Sequence, residues 1–427
     1  MGKRTRGGGG ALRLRVVVAA VALAVVASVT MASPRGNASA VFTATKEGGV
    51  HINSSDPLAN PVVVNGVDVL RAISHQQSIN DKQAQLIAAQ STTIATLQQQ
   101  FCRLHSPQVQ SISGAGSASH KWGGGVLAPN GLIYASPHSA TAVLIINPER
   151  RTLDATSISG LPSGSIKWQD GVLAPNNNII YCLPVHHDSV LKINPQTNAA
   201  DWTTISGLGS QTFKFRGGVL ANNGLIYGIP AASAFVLIIN PATDTIDTTT
   251  LAGLEDGTRK WWGGVLASDG RIFCIPRGAD AVLIISPDTN TLDTTSITGL
   301  GSATAKWAGG VLARNGLIYG IPYGSDSVLI IDPEAMTADT TTITGLSGST
   351  KWVGGVLAAN GKVVGIPYYS NSVLILDPQS NTADTTTFTG IGIGTPQQFL
   401  GGVLDAGGLI FAIPSSSTVS LVIDIAC

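Results

Sequence analysis

At 427 residues the chain is long enough for two or three ordinary domains, and its 25 basic residues balance its 25 acidic ones. The balance excludes a basic nucleic-acid footprint and an acidic tail. Charged residues make up only 12% of the chain, while 50 Gly and 21 Pro call for many tight turns rather than long helices, an all-β signature.

Residues 1–40 read as a targeting segment. Lys3, Arg4, Arg6, Arg13 and Arg15 precede an apolar run from Val16 to Ala32, and Ala38-Ser39-Ala40 offers a small-residue cleavage site. The run is shorter than the ~20 residues that comfortably span a bilayer. Two readings follow: a cleaved signal peptide, or a retained type II signal anchor whose basic flank stays cytoplasmic. Both export the rest of the chain, so the expected location is secreted or on the extracellular face of a membrane. Arg6 stands where a myristoylation site needs Ser or Thr.

Residues 41–66 are expected to be a linker, broken by Gly48-Gly49, Pro57, Pro61 and Asn65-Gly66. Asn53-Ser54-Ser55 is a glycosylation acceptor, as is Asn37-Ala38-Ser39 if the leader is kept. From 67 to 103 the pattern turns helical. Ile73, Asn80, Ile87, Ile94 and Phe101 fall seven apart with no Gly or Pro between them. That spacing predicts a coiled-coil stalk, with Asn80 at a core position, and hence a homo-oligomer. A single amphipathic helix docked on the next domain is the competing reading.

From Lys121 onward the chain repeats itself about every 46 residues. Lys121-Trp122, Lys167-Trp168, Lys214-Phe215, Lys260-Trp261, Lys306-Trp307, Lys351-Trp352 and Gln398-Phe399 open seven units. In the unit from Lys306, GGVLA and LIYGIP flank an Asn315-Gly316 turn, a strong hairpin signal. VLIID follows, and then DTTTITG, whose alternation reads as a fourth strand. Four strands per ~45 residues is the period of a propeller blade.

Closure can be tested on the sequence. The seventh unit ends after its third strand, SLVIDIAC, and its missing fourth strand precedes the first unit: Gln110–Ser119 aligns without gaps on Thr295–Thr304. Such an interlock removes open sheet edges. The expectation is an all-β, seven-bladed β-propeller over 104–427, closed by an N-terminal strand.

The stretch NGLIYGIPYGSDSVLIIDPEAMTADTT, from Asn315, resembles the YVTN-type repeat and, more loosely, the NHL and kelch repeats. The resemblance covers residues 109–427. It implies a propeller, used in that superfamily for cell-surface adhesion, for protein or glycan binding, or in some branches as a lyase or hydrolase. Most units carry Thr where kelch has Trp, which argues against a strict kelch assignment.

Cys182 and Cys274 occupy a small-residue position in the second strands of blades two and four and read as inert buried thiols. Cys102 and Cys427 project by repeat register onto positions equivalent to Pro378 and Ser380, one on each side of the closing seam, and are expected to form a disulfide in an oxidising compartment. The recurring Lys-Trp pair has two readings, a ligand-binding ring and a wedge between blades. The Asp that recurs before each Thr-rich segment is expected to bond turn N–H groups.

Positions that vary between near-identical units carry the functional signal. The loops after the second strands hold His138-Ser139, His186-His187-Asp188, Arg277, Tyr323, Tyr368-Tyr369 and Ser415-Ser416. His186, His187, Arg277, Tyr323, Tyr368 and Tyr369 are the candidate ligand-binding residues. Adjacent side chains on an extended segment diverge, so His186 to Asp188 do not suggest a metal site. No G-x-S-x-G, phosphate loop or HExxH is present, and no catalytic residue, metal or cofactor is assigned. Two functions stay open. One is an extracellular binding or adhesion module for a protein or carbohydrate ligand. The other is an NHL-like lyase or hydrolase with its site at the channel mouth. No nucleic-acid partner is expected.

Overall fold

A computed structural model describes residues 41–44, 50–53, 63–64, 67–104, 106–257, 259–391 and 397–426. The chain divides into two units, 1–101 and 102–427. Within the first, the segment expected to be a linker carries two short antiparallel hairpins. Val41–Ala44 pairs with Val50–Asn53, and Val63–Val64 pairs with Val67–Asp68. The helix runs Val69–Leu104. Along it Leu86, Ile87 and Ile94 are more than half exposed. Its Ser and Thr hydroxyls fold back on the helix, as where Ser91 donates to the Ile87 carbonyl at 2.8 Å. Among the described residues no helix is long and apolar enough to cross a membrane. The leader at 1–40 and Cys427 lie outside the described residues, as do Ser54 and Ser55 of the second sequon, so the disulfide and glycosylation expectations are neither met nor refuted there.

The second unit is a ring of seven four-stranded antiparallel sheets. Blade 5 is representative: an inner strand Trp307–Leu312, then Ile318–Pro322, Leu329–Asp332 and an outer strand Thr337–Asp339. In blade 7 the first three strands are Phe399–Leu404, Ile410–Pro414 and Val419–Asp424, and the fourth is Gln108–Ser113 from the start of the domain. The expected closure is therefore present, with Leu421 opposite Ser111 and Ile423 opposite Val109.

The outer strands correct one expectation. DTTTITG does not form the fourth strand; that strand is three residues long and ends at the Asp. The segment beyond it is a two-residue bulge. Ile284 lies opposite Asp293, yet the N–H of Val282, two residues earlier, donates to the Ile297 carbonyl at 3.0 Å. The Asp carboxylate fills the gap: in blade 5 Asp339 accepts from the Thr341 N–H at 2.6 Å, from the Thr341 hydroxyl at 2.8 Å and from the Thr342 hydroxyl. The closing strand lacks this device and runs straight, Val422 opposite Gln110 and Ser420 opposite Ile112.

The cores lie between blades rather than within them. Trp352, at the start of the blade 6 inner strand, packs with Tyr319, Ile321 and Ile330 of blade 5. Its indole N–H donates to the Ser372 carbonyl at 2.8 Å, which satisfies the polar end of a buried ring. The Lys before five of these aromatics is 1–6% exposed, as at Lys121, Lys214 and Lys306. Lys121 Nζ donates to the carbonyls of Ala118, Ser415 and Ser417 at 2.7–3.0 Å. Burial pushes its ammonium down to about 8, with Lys167 and Lys214 alike. The Lys-Trp pair is thus a wedge and loop staple, not a ligand ring. Cys182 and Cys274 are free and buried, and burial pushes the Cys182 thiol up to about 12.

Candidate functional site

Each inner strand is broken by a β-bulge at the doublet after the aromatic residue, as between Trp307 and Gly310. The bulge turns the third residue of each unit toward the channel axis, and the Gly beside it meets its neighbours around the ring. A Cβ on Gly309 would lie 2.8 Å from the Gly354 Cα, and Gly309 itself has φ +80°. At Gly309 itself only a residue without a side chain fits. Asp170 holds this place in blade 2, with φ 55°, and its side chain enters the channel beneath the mouth.

Above this annulus, three positions per blade face the mouth. One is the residue before the Lys or Gln, at positive φ in six blades, where its carbonyl mostly accepts from the following loop: Ser139 N–H to His120 at 2.9 Å, Tyr369 N–H to Thr350 at 3.2 Å. Ile166 and Thr350 adopt this conformation although β-branched residues rarely do. The second is the residue after the aromatic, which differs in every blade and includes Gln169, Arg216 and Trp262. The third follows the Pro that ends the second strand, and includes His138, Arg277, Tyr323, Tyr368 and Ser415. Strand, bulge and loop keep the repeat while these three tiers depart from it.

Together they form a cavity of about 230 Å3. On one side Arg216 lies 4.1 Å from the Trp262 ring centre, while Arg277 lies 5.4 Å from Trp262 and 5.2 Å from Tyr323. Arg259 sits 5.0 Å from Phe213. Tyr323 and Tyr368 continue the aromatic row at 5.8 Å spacings. Three guanidinium groups line this cavity and no carboxylate does. Arg216 donates to Gln169 Oε1 at 2.6 Å, and Gln169 Nε2 donates to Asp170 Oδ2 at 3.2 Å. Burial, with the charge of Arg277 nearby, pushes Arg216 down to about 10, so it stays a cation at neutral pH. Burial, opposed by Gln169 and Arg216, raises the Asp170 carboxyl above its ordinary value.

The opposite side is polar and neutral. His138 is 3% exposed with neither ring nitrogen hydrogen-bonded, and Ser415 Oγ and Gln397 Oε1 are also buried without partners. Buried polar atoms are almost always satisfied, so four orphans around one cavity mark places for ligand or water. Burial holds His138 well below its ordinary value, and Arg216 adds to this.

Of the six residues singled out in sequence, Arg277, Tyr323 and Tyr368 line this cavity. Tyr369 is exposed, stacks edge-on against Tyr368 at 5.2 Å and receives Gln397 Nε2 at 3.1 Å. His186 stands behind Phe213 at 4.6 Å, one layer removed. His187 lies against Trp168 at 4.3 Å and pairs with Ser189, away from the mouth. Among the described residues no group of three His, Cys, Asp or Glu comes together. Arg216, Trp262, Phe213 and Arg259 were not singled out. For Arg216 and Trp262 the signal was present: the residue after each aromatic reads Gly, Gln, Arg, Trp, Ala, Val and Leu in turn.

No family model matches the chain, and no curated protein matches it in sequence. Solved structures do resemble it. A streptogramin B lyase aligns with a TM-score of 0.60 and 11% identity, covering 74% of this chain and 98% of the lyase. Virginiamycin B lyase from Staphylococcus aureus, an inactive variant crystallised with quinupristin, gives 0.61 and 11%, over 75% and 100% of the two chains. An extracellular domain from Bacteroides thetaiotaomicron gives 0.54 and 12%, over 75% of this chain and 42% of that one. This chain is a seven-bladed propeller. At such identity the likeness carries the fold and leaves the ligand to the residues themselves.

Proposed function

We propose that the chain is an exported recognition module that binds a protein or glycan ligand on its loop face, with part of the ligand entering the channel mouth. One observation carries this reading. The repeat is kept wherever it builds blades and abandoned at the three positions that face one cavity, where it places cations, a row of tilted aromatics and unpartnered polar atoms. The leader at 1–40 supports delivery outside the cell, and extracellular domains among the structural neighbours are compatible with it. The YVTN-type and NHL-like character of the repeat fits an exterior binding role. The heptad pattern of the helix and its exposed Leu86, Ile87 and Ile94 support multivalent display through residues 67–103. A Cys102–Cys427 link across the seam remains part of the proposal.

His138 supports a second reading. A buried, neutral imidazole lines the cavity where an NHL-like lyase or hydrolase would need a histidine, although burial disfavours its protonated form. A glycan and protein array probed with the intact chain and with Tyr323→Ala/Tyr368→Ala tests the main reading. Binding lost in the double variant at unchanged melting temperature supports it. Binding equal in both places recognition elsewhere. Turnover of a bound ligand, abolished by His138→Phe, would favour the enzyme.

A further inference from the structure

Resting on that reading, we infer that the ligand is an acidic saccharide: one carboxylated pyranose residue fills the channel mouth, its carboxylate on Arg216 and Arg277 and its ring face on Trp262 and Tyr323. The inference has three supports. The first is charge. Three arginines line the cavity with no acidic residue among its walls, and the Asp170 carboxylate beneath it acts on Arg216 alone, so the remaining positive field selects an anion. A guanidinium presents a flat fork that matches a carboxylate in two parallel bonds. The second is shape. A cavity of about 230 Å3 falls below the about 300–1,000 Å3 of drug-sized sites and admits one ring rather than a folded chain. One side of it is a row of tilted aromatic rings, Trp262, Tyr323 and Tyr368, at 5.8 Å steps.

The third support separates a sugar from an acidic peptide. An Asp or Glu side chain would satisfy the arginines and leave His138 Nδ1 and Nε2, Ser415 Oγ and Gln397 Oε1 buried and empty. A ring carrying hydroxyls around its edge supplies donors and acceptors to each. His138 is only 3% exposed and Ser415 1%, so bulk water does not serve them freely.

The experiment is titration calorimetry of the intact exported chain with tri-galacturonate, with maltotriose as the neutral trisaccharide and with a tri-glutamate peptide. The expected result is saturable binding of the uronate that weakens with added salt, with both controls about 10-fold or more weaker. Arg277→Met should cost about 10- to 100-fold at unchanged melting temperature. Should that variant melt early, Arg277→Lys keeps the charge, loses the planar fork and should still cost about 10-fold. Equal binding of maltotriose overturns the charge assignment, and equal binding of the peptide overturns the saccharide assignment. No binding of tri-galacturonate at millimolar concentration overturns the inference outright. A different ligand found on the array and lost in the Tyr323/Tyr368 double variant would then leave the recognition reading standing alone.

Discussion

Asp339 shows what a single side chain does in this ring. Its carboxylate accepts from two N–H groups and two hydroxyls, so the charged form is favoured and the bond from Thr342 holds its carboxyl down to about 2; Ser157 does the same for Asp154. The folded value lies below the ordinary one of about 4. The stabilisation is therefore complete above pH ~4 and is lost as pH falls through ~2. Asp339→Ala should cost about 0.5–1 kcal/mol at pH 7, the low end because the group is largely solvated, and distinctly less at pH 2. Urea unfolding at the two pH values checks this. At the mouth the sign differs. Arg216 stays charged to about 10 and burial keeps His138 neutral, so uronate affinity should be flat from pH 6 to 8. A loss of affinity following a histidine titration in that range would show that an imidazolium, not the guanidinium pair, holds the anion.

At the scale of the element, the bulge decides both fold and site. Gly309 has φ +80° and no room for a Cβ, whereas Gly316, in the hairpin turn at φ +83°, has open space around it. Gly309→Ala should cost about 3 kcal/mol or more, through overpacking added to backbone strain, against about 1 kcal/mol for Gly316→Ala. Similar costs at both would mean that the annulus is not closely packed. The same elements show what the residues disclosed. The hairpins were legible because Asn-Gly turns and period-two runs recur in register, and the wedge because Lys-Trp returns with each unit. The Thr-rich segment misled because β-branched alternation reads as strand, while the Asp carboxylate competes for the backbone and opens a bulge. At the mouth, loops after second strands drew attention through visible variation, which found Arg277, Tyr323 and Tyr368. Arg216 and Trp262 sit inside a strand, where variation looks like tolerated packing. Only the bulge reveals that they turn inward. His186 and His187 were adjacent in sequence and diverge in space, one toward Phe213 and one toward Trp168.

For the whole molecule, the ring depends on a strand borrowed from the far end of the chain. Ile112 is 7% exposed and packs with Phe411, Ile413 and Val422 in the core shared by blades 7 and 1. Ile112→Asp should destabilise the whole propeller by about 3 kcal/mol or more, since a buried unpaired charge sits at the closure. Separate melting of blade 7 from the rest would show that closure is not cooperative. The assembly also sets where chemistry can occur: one channel, one mouth, and three variable tiers around it. Hydrogen-exchange mass spectrometry of the intact chain, with and without saturating tri-galacturonate, tests that placement most directly. Protection confined to peptides containing Arg216, Trp262, Arg277 and Tyr323 is the predicted result. Protection at the Asp-braced outer edges or along the Val69–Leu104 helix, with the mouth unchanged, would contradict it.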